Sequence, residues 1–388
     1  MPIKTWTLLD LAKDLAVDSL SLGSAELTGA AAGLSVRKRR LQGGRRDGVD
    51  VVEIDNGTFQ VSVLPTRGMG LWKARLGDLE LGWNSPALGP VHPQFVNLWE
   101  PSGLGWLAGF DELLCRCGLE SNGGPVHDQQ GKLVYPLHGK IANSPAHQVT
   151  LSIDSESGEL ALTGVVDEAR LYHPKLRLTS TIRTRPGEPG VRLTDEVQNL
   201  SAEPGEFELL YHVNFGPPLL DAGAKVVAPL KAVMPMTPRA AEGIKAWDTY
   251  DAETAGYTEQ VYLFELAAAS DGATTALLRN AHGNYGASLS FNVRELPCFT
   301  VWKSTQMAGD GYVTGLEPGV NFPNQRPFEA ENGRVVKLKG GERRTINLAL
   351  TAHSDAASVA AAEAAIAKLQ GSTRPKIHAQ PARPWSAG

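Results

Sequence analysis

Between about residues 50 and 350 the chain repeatedly alternates apolar and polar residues with a period of two. Val51, Val52 and Ile54 lead into Asp55-Asn-Gly57, and Phe59, Val61 and Val63 alternate on the way back to Leu64-Pro65. An Asn-Gly pair between two such runs predicts a hairpin. Val149, Leu151 and Ile153 precede 154–158, and Leu160 and Leu162 follow. Leu176, Leu178, Ser180 and Ile182 run up to Pro186-Gly-Glu-Pro-Gly190, after which Val191 and Leu193 resume. Val336 and Leu338 stop at Gly340-Gly341, and Ile346, Leu348 and Leu350 continue the pattern. Period two turns one side of each segment toward a core and the other away from it. With 41 glycines and 25 prolines as punctuation, the pattern predicts an all-β fold, an antiparallel sandwich or barrel. No βαβ rhythm, phosphate loop or internal repeat is visible.

Two stretches depart from this period. Residues 6–20 place Trp6, Leu8, Leu9, Leu11, Ala12, Leu15, Ala16 and Leu20 on one side and Asp10, Lys13 and Asp14 on another, which predicts a short capping helix. Residues 354–369 are alanine-rich, with Ser354 as the expected N-cap and Gly371 past the end, which predicts a C-terminal helix. Residues 1–370 are therefore expected to form one domain, and the Pro-rich end of 371–388 a loosely attached tail.

Composition narrows the function. A 388-residue chain with 42% hydrophobic residues can bury a sizeable core, and a net charge of −5 with pI near 6.0 gives no support for a nucleic-acid partner. The basic run Arg37-Lys-Arg-Arg40, with Arg45 and Arg46, is punctuated by Gly43 and Gly44 and is expected to be a solvated hairpin. No apolar run reaches membrane-spanning length. The start of the chain lacks a signal-peptide pattern. Three cysteines argue against a disulfide framework. A cytoplasmic protein with no membrane association is the expectation.

Five polar and aromatic segments stand where simple turns would be expected. In Thr314-Gly-Leu-Glu-Pro-Gly-Val-Asn-Phe-Pro-Asn324 an apolar strand delivers Glu317, with Asn321 and Asn324 close behind. Pro318 and Pro323 fix φ and Gly319 permits an unusual one, which suits either a polyol site with one base or an ordinary polar turn. In Leu64-Pro-Thr-Arg-Gly-Met-Gly-Leu-Trp72, the fork of Arg67 is placed to hold a hydroxyl or carboxylate, unless it is only a surface residue of a hairpin. Residues 82–124 hold Trp83, Trp99, Trp106, Phe95 and Phe110 and the polar set Asp111, Glu112, Arg116, Glu120 and Asn122. Rings among polar groups, Trp72 included, suit sugar stacking, and they equally suit a second small core under a long loop. Cys115 and Cys117 fit neither zinc nor redox spacing and are read as packing residues. Tyr135-Pro-Leu-His-Gly places His138 in a turn with an accessible ring. Leu209-Leu-Tyr-His-Val-Asn214 delivers His212 and Asn214 to one strand face. A His paired with a Glu can take one proton while giving another.

With Arg67 in Leu-Pro-Thr-Arg-Gly-Met-Gly, His138 in Leu-His-Gly, His212 in Tyr-His-Val-Asn-Phe-Gly and Glu317 in Gly-Leu-Glu-Pro-Gly in this order, the chain resembles the aldose 1-epimerase (galactose mutarotase-like) superfamily over about residues 50–350. More closely it resembles an uncharacterised bacterial branch. The resemblance implies a large antiparallel supersandwich and interconversion of sugar anomers. It implies Glu317 as the base at the anomeric hydroxyl, His212 as the acid at the ring oxygen, and Arg67 and His138 as sugar-holding residues. It implies no metal and no organic cofactor. Trp72, Trp106, Asp111, Arg116, Glu120, Asn122, Asn214, Asn321 and Asn324 complete the expected substrate-binding set.

Departures from the galactose enzymes are Lys140 after His-Gly, the Trp-rich insert and the 115–122 run. Asp111 and Asp248 are candidates for a further acidic sugar-binding residue. The expected activity is therefore an aldose 1-epimerase-like isomerase on a free sugar or sugar acid, in a protein that could form a homodimer. Arg67, Arg116 and Lys303 would suit an anionic substituent if they converged. Two alternatives remain open: a non-catalytic carbohydrate-binding protein, and a metal-assisted isomerase or lyase using His138, His212 and Glu317.

Overall fold

The computed structural model describes residues 2–387. Two large sheets, of ten and fourteen strands, are built almost wholly from antiparallel pairs, with a two-stranded ribbon beside them. The central strands of the smaller sheet are Leu160–Ala169, Lys175–Thr184, Gly190–Asn199 and Arg343–His353. Leu160, Leu162 and Val166 point into the core while Ala161, Thr163 and Val165 remain half-exposed. This is the alternation anticipated from sequence. Each fully buried Leu, Val or Phe contributes roughly 1.5–3 kcal/mol.

The larger sheet is different at its centre. Its strand Gly205–Phe215 lies between Leu114–Leu119 and Tyr312–Gly319, with Cys298–Thr305 and then Gln260–Leu266 beyond. Phe207, Leu209, Tyr211, Val213 and Phe215 face the other sheet. Leu210, His212 and Asn214 face away from it yet are also buried. Trp83, Trp106, Phe110 and Ala142 pack with Leu210, Cys115, Cys117 and Val313 on that outer face. Segments 82–112 and 135–143 thus form a roof over the middle of the sheet.

Arg116 joins the two sheets. From the larger sheet it bonds both carboxylate oxygens of Asp195 and the Ser180 hydroxyl (2.8 Å) on the smaller sheet, and donates to the Met69 carbonyl (2.9 Å) and the Gly68 carbonyl (3.3 Å). Tyr211 donates its hydroxyl to Asp195 as well, at 2.8 Å. All five guanidinium donors are used in the core, so Arg116 is not available to a substrate on the roofed face.

Three expectations are corrected at the ends of the chain. The N-terminal segment is no helix: Ile3–Asp10 is a strand antiparallel to Gln148–Asp154, followed by a single 3-10 turn at Leu11–Lys13. Its apolar side chains satisfy either period, and the open edge of the sheet supplies the backbone partners that decide between them. The C-terminal helix is Ala356–Gln370, and its cap is Asp355, whose carboxylate accepts from Ser358 N at 2.7 Å. The tail is docked. Lys376–Ile377 pairs parallel with Leu230–Pro235, the Trp385 ring lies 5.5 Å from that of Phe322, and Ser386 Oγ donates to the Met236 carbonyl at 2.6 Å. No helix among the described residues is long and apolar enough to cross a membrane.

Asp195→Ala would leave the Arg116 guanidinium buried without its counter-charge. We expect about 3–5 kcal/mol lower stability, measured as a shift of the urea unfolding midpoint.

Candidate active site

Strand register brings the two proposed acid–base residues together. Val213 pairs with Leu316 and Asn214 with Gly315, so His212 lies opposite Glu317 across neighbouring strands. His212 Nε2 is 3.2 Å from Glu317 Oε1, and both side chains are nearly inaccessible. Gly315 makes this possible, since a Cβ there would lie 2.5 Å from Glu317 Oε1 and 3.0 Å from His212 Cε1.

Hydrogen bonds orient both histidines. His212 Nδ1 is 2.5 Å from Asn214 Oδ1, and Asn214 Nδ2 donates to the Glu112 carbonyl at 2.9 Å. His138, at φ +57°, donates from Nδ1 to the Asn122 carbonyl at 2.8 Å. Aromatic rings enclose the pair. His212 lies 5.1 Å from Phe110, 5.5 Å from Trp302, 5.3 Å from His138 and 6.1 Å from Trp106, and Trp106 lies 4.6 Å from both Phe110 and His138. Trp302 donates its indole hydrogen at 2.6 Å to Glu259, an exposed carboxylate at the edge of this group.

Removal from water governs the charges. Burial pushes the Glu317 carboxyl well above the usual carboxylate range, with the Glu259 charge adding to the effect. Burial lowers His212 to about 3 and His138 to about 4. Trp106 Nε1, Trp83 Nε1, Thr300 Oγ1 and Glu317 Oε1 are all buried without a hydrogen-bond partner. Thr300 stands opposite Glu317 on the next strand. Native interiors rarely leave such groups unpaired, and a cluster of them marks a place built to receive polar atoms.

The other expected site residues serve elsewhere. Arg67 spends four of its five donors on Glu112, the Val91 carbonyl (2.8 Å), Asn143 Oδ1 (2.8 Å) and the Gly109 carbonyl (2.9 Å). It ties the two roof segments to each other and to the sheet. Gly68 beside it, at φ +56°, lets the Ile141 carbonyl approach where a Cβ would meet it at 2.3 Å. Trp72 donates to Asp111 at 2.7 Å and packs with Leu41, Val49, Val51 and Leu64, a cluster separate from the rings around His212. Glu120 pairs with Lys140. Asn122 and Asn321 exchange amide hydrogen bonds of 2.7 and 3.1 Å, which fixes the carbonyl that holds His138. Asn324 bonds Glu329 at 2.7 Å and the Trp385 carbonyl at 2.8 Å, and so anchors the tail. Lys303 donates to the Ala246 and Thr249 carbonyls and lies 4.8 Å from the Tyr250 ring. Arg67, Arg116 and Lys303 do not converge.

Residues 46–352 match the family described as "Domain of unknown function (DUF4432)". The chain belongs to that family. It is similar along its whole length to the crystal structure of a "putative aldose 1-epimerase" from Klebsiella pneumoniae subsp. pneumoniae MGH 78578. That likeness has a TM-score of 0.94 and 33% identity, covering 98% of this chain and 99% of that one. A galactose mutarotase-like protein from Clostridium acetobutylicum (TM-score 0.55, 15% identity, 82% of this chain and 98% of that one) shares the fold. So does galactose 1-epimerase from Lactobacillus acidophilus NCFM (TM-score 0.55, 12% identity, 83% and 99%). No functionally curated protein matches the sequence. Within this galactose mutarotase-like fold, the DUF4432 chain described here carries its His–Glu pair under a roof of aromatic rings.

Phe110, Trp302, Thr300 and Gly315 belong to the site's immediate surroundings and were not among the expected site residues. Period two on residues 298–305 puts Thr300 and Trp302 on one face, but nothing local says that this face borders Glu317. Among the described residues no group of three His, Cys, Asp or Glu side chains is placed as metal ligands would be.

Two outcomes are expected. Gly315→Ala should push the His212–Glu317 pair apart and lower turnover about 10²-fold with little change in the thermal unfolding midpoint, as steady-state rates beside calorimetry will show. Withdrawal of the two imidazoles from water also makes stability pH-dependent. Both rings stay uncharged when folded, while the unfolded chain takes up protons below about pH 6.5. Their contribution to stability is therefore fully present above that pH and falls as pH drops toward about 4. Urea titrations over this range should show a shallower acid-side loss for His138→Gln than for the wild type.

Proposed function

We propose that this cleft is the active site of an aldose 1-epimerase-like isomerase acting on a free, uncharged sugar. The observation that carries this reading is the buried, directly opposed His212–Glu317 pair at 3.2 Å, set among aromatic rings. Anomerisation requires one proton to leave the anomeric hydroxyl and one to reach the ring oxygen. A pair that shares one proton between two basic atoms can perform both transfers, each positioned group being worth roughly 10²–10⁴-fold. Ring C–H faces pack on Trp106, Phe110 and Trp302, and the sugar's oxygens meet the unspent Trp106 and Thr300 donors. His138, with Nδ1–H held by Asn122, presents Nε2 as an acceptor for a hydroxyl.

Charge supports an uncharged substrate. Arg67, Arg116, Lys140 and Lys303 are committed to carboxylates or carbonyls, and Glu259, bonded to Trp302, repels anions. A uronate or sugar phosphate would be desolvated there without a counter-charge.

Anomer exchange followed by NMR across free hexoses, pentoses and uronic acids tests this. At least one neutral sugar should exchange faster than in buffer, uronic acids should not, and Glu317→Gln should reduce the rate by about 10²–10⁴-fold. Sugar resonances that shift on binding without any anomer exchanging would favour the binding-protein alternative.

A further inference from the structure

The tautomer of His212 can be read from its neighbours. Asn214 Nδ2 donates to the Glu112 carbonyl at 2.9 Å and to the His212 carbonyl at 3.2 Å, which turns Oδ1 toward the ring. An amide oxygen only accepts, so His212 Nδ1 carries hydrogen in the 2.5 Å contact. The partner of Nδ1 is an uncharged amide and not a carboxylate, so nothing on that side stabilises an imidazolium. The facing oxygen, Glu317 Oε1, is buried and accepts no hydrogen bond among the described residues. A carboxylate there would have only a His212 imidazolium, 3.2 Å away, to offset its desolvation, and a buried charged pair is costly.

The groups around the pair do not reverse this. Cys115 of the Leu114–Leu119 strand stands opposite His212 in register, with Cys117 two residues along, and burial raises both thiols. Thr300 and Trp302 come from the Cys298–Thr305 strand, and Trp106, Phe110 and His138 from the roof. Glu112 is neutralised by Arg67, and Glu259 contributes a further negative charge. No lysine or arginine pairs with Glu317 among the described residues.

We propose that the resting pair is uncharged, with its proton on Glu317 and a bare lone pair on His212 Nε2, so that Glu317 is the acid and His212 the base of ring opening. This reverses the roles that the family resemblance implies. The assignment of steps rests on the proposed function, whereas the protonation state does not. In the opening step His212 Nε2 takes the proton of the anomeric hydroxyl as C1=O forms. The C1–O5 bond breaks, and its electron pair on O5 takes the proton from Glu317. The open-chain sugar is then held beside an imidazolium and a carboxylate. After rotation about C1–C2, O5 attacks C1 while Glu317 recovers the O5 proton and the imidazolium returns its proton to O1. No oxidant, metal or net proton is consumed.

The resting state can be measured without substrate. Ring ¹⁵N–¹H spectra of wild-type protein, assigned with His212→Phe, should show His212 protonated at Nδ1 only from about pH 5 to about pH 8. The infrared difference between wild type and Glu317→Gln should contain the carbonyl stretch of a protonated carboxylic acid. Asn214→Asp, which sets a carboxylate against Nδ1, should convert the ring to an imidazolium and remove that carbonyl band. Two protonated ring nitrogens together with carboxylate bands in the wild type would overturn the assignment even if a sugar anomerises. The neutral signature in a protein that exchanges no sugar would leave it standing and sink the proposed substrate instead.

Discussion

Arg116 and Asp195 face each other across the middle of the sandwich, each wholly shielded from water. Burying two charges is costly, and only complete hydrogen bonding offsets it. Here Tyr211, Ser180 and the carbonyls of Gly68 and Met69 complete the set. The consequence for the larger sheet is positional. Arg116 and Tyr211 point inward on adjacent strands, so Cys115 and His212, their neighbours in sequence, point outward side by side. The inward pair thus fixes which residues the outer face presents, and at what height on the strands.

That outer face becomes a site because it is covered. Arg67 gathers the carbonyls of residues 91 and 109, the amide of Asn143 and the carboxylate of Glu112, and so holds the roof down. Under this roof water is excluded, and exclusion decides the chemistry. A carboxyl group without a cationic partner keeps its proton, and two imidazoles capped by neutral oxygens remain bases. Packing alone therefore prepares a proton donor 3.2 Å from a proton acceptor. Exposed, Glu317 would be ionised near neutral pH and His212 partly protonated.

Some placements in the candidate site were legible in the sequence and others were not. His212 and Asn214 share a face because strand periodicity requires it, whereas the turn expected directly after Glu317 comes only past Gly319, where the strand ends. Arg67 and Arg116 show the limit of such reading. An arginine beside glycines looks free to grip a substrate, yet both are spent on buried carboxylates that lie 45 and 79 residues away in the chain. Trp72 and Trp106 carry the same local signal, yet one packs against Leu41 and Val49 and the other against His138. Partner identity is a long-range property, and neither composition nor period records it.

The sequence by itself determined the strand-rich class, the hairpins, the C-terminal helix and the motifs whose order marks the superfamily, because these depend on residue types a few positions apart. It did not determine the form of residues 3–10, whose apolar pattern suits helix and strand alike until the sheet edge offers hydrogen-bond partners. It did not determine that 376–377 would pair with Leu230–Pro235. Above all it did not determine the protonation of His212 and Glu317. That depends on how completely distant segments displace water from one strand face, and only the tertiary structure decides it.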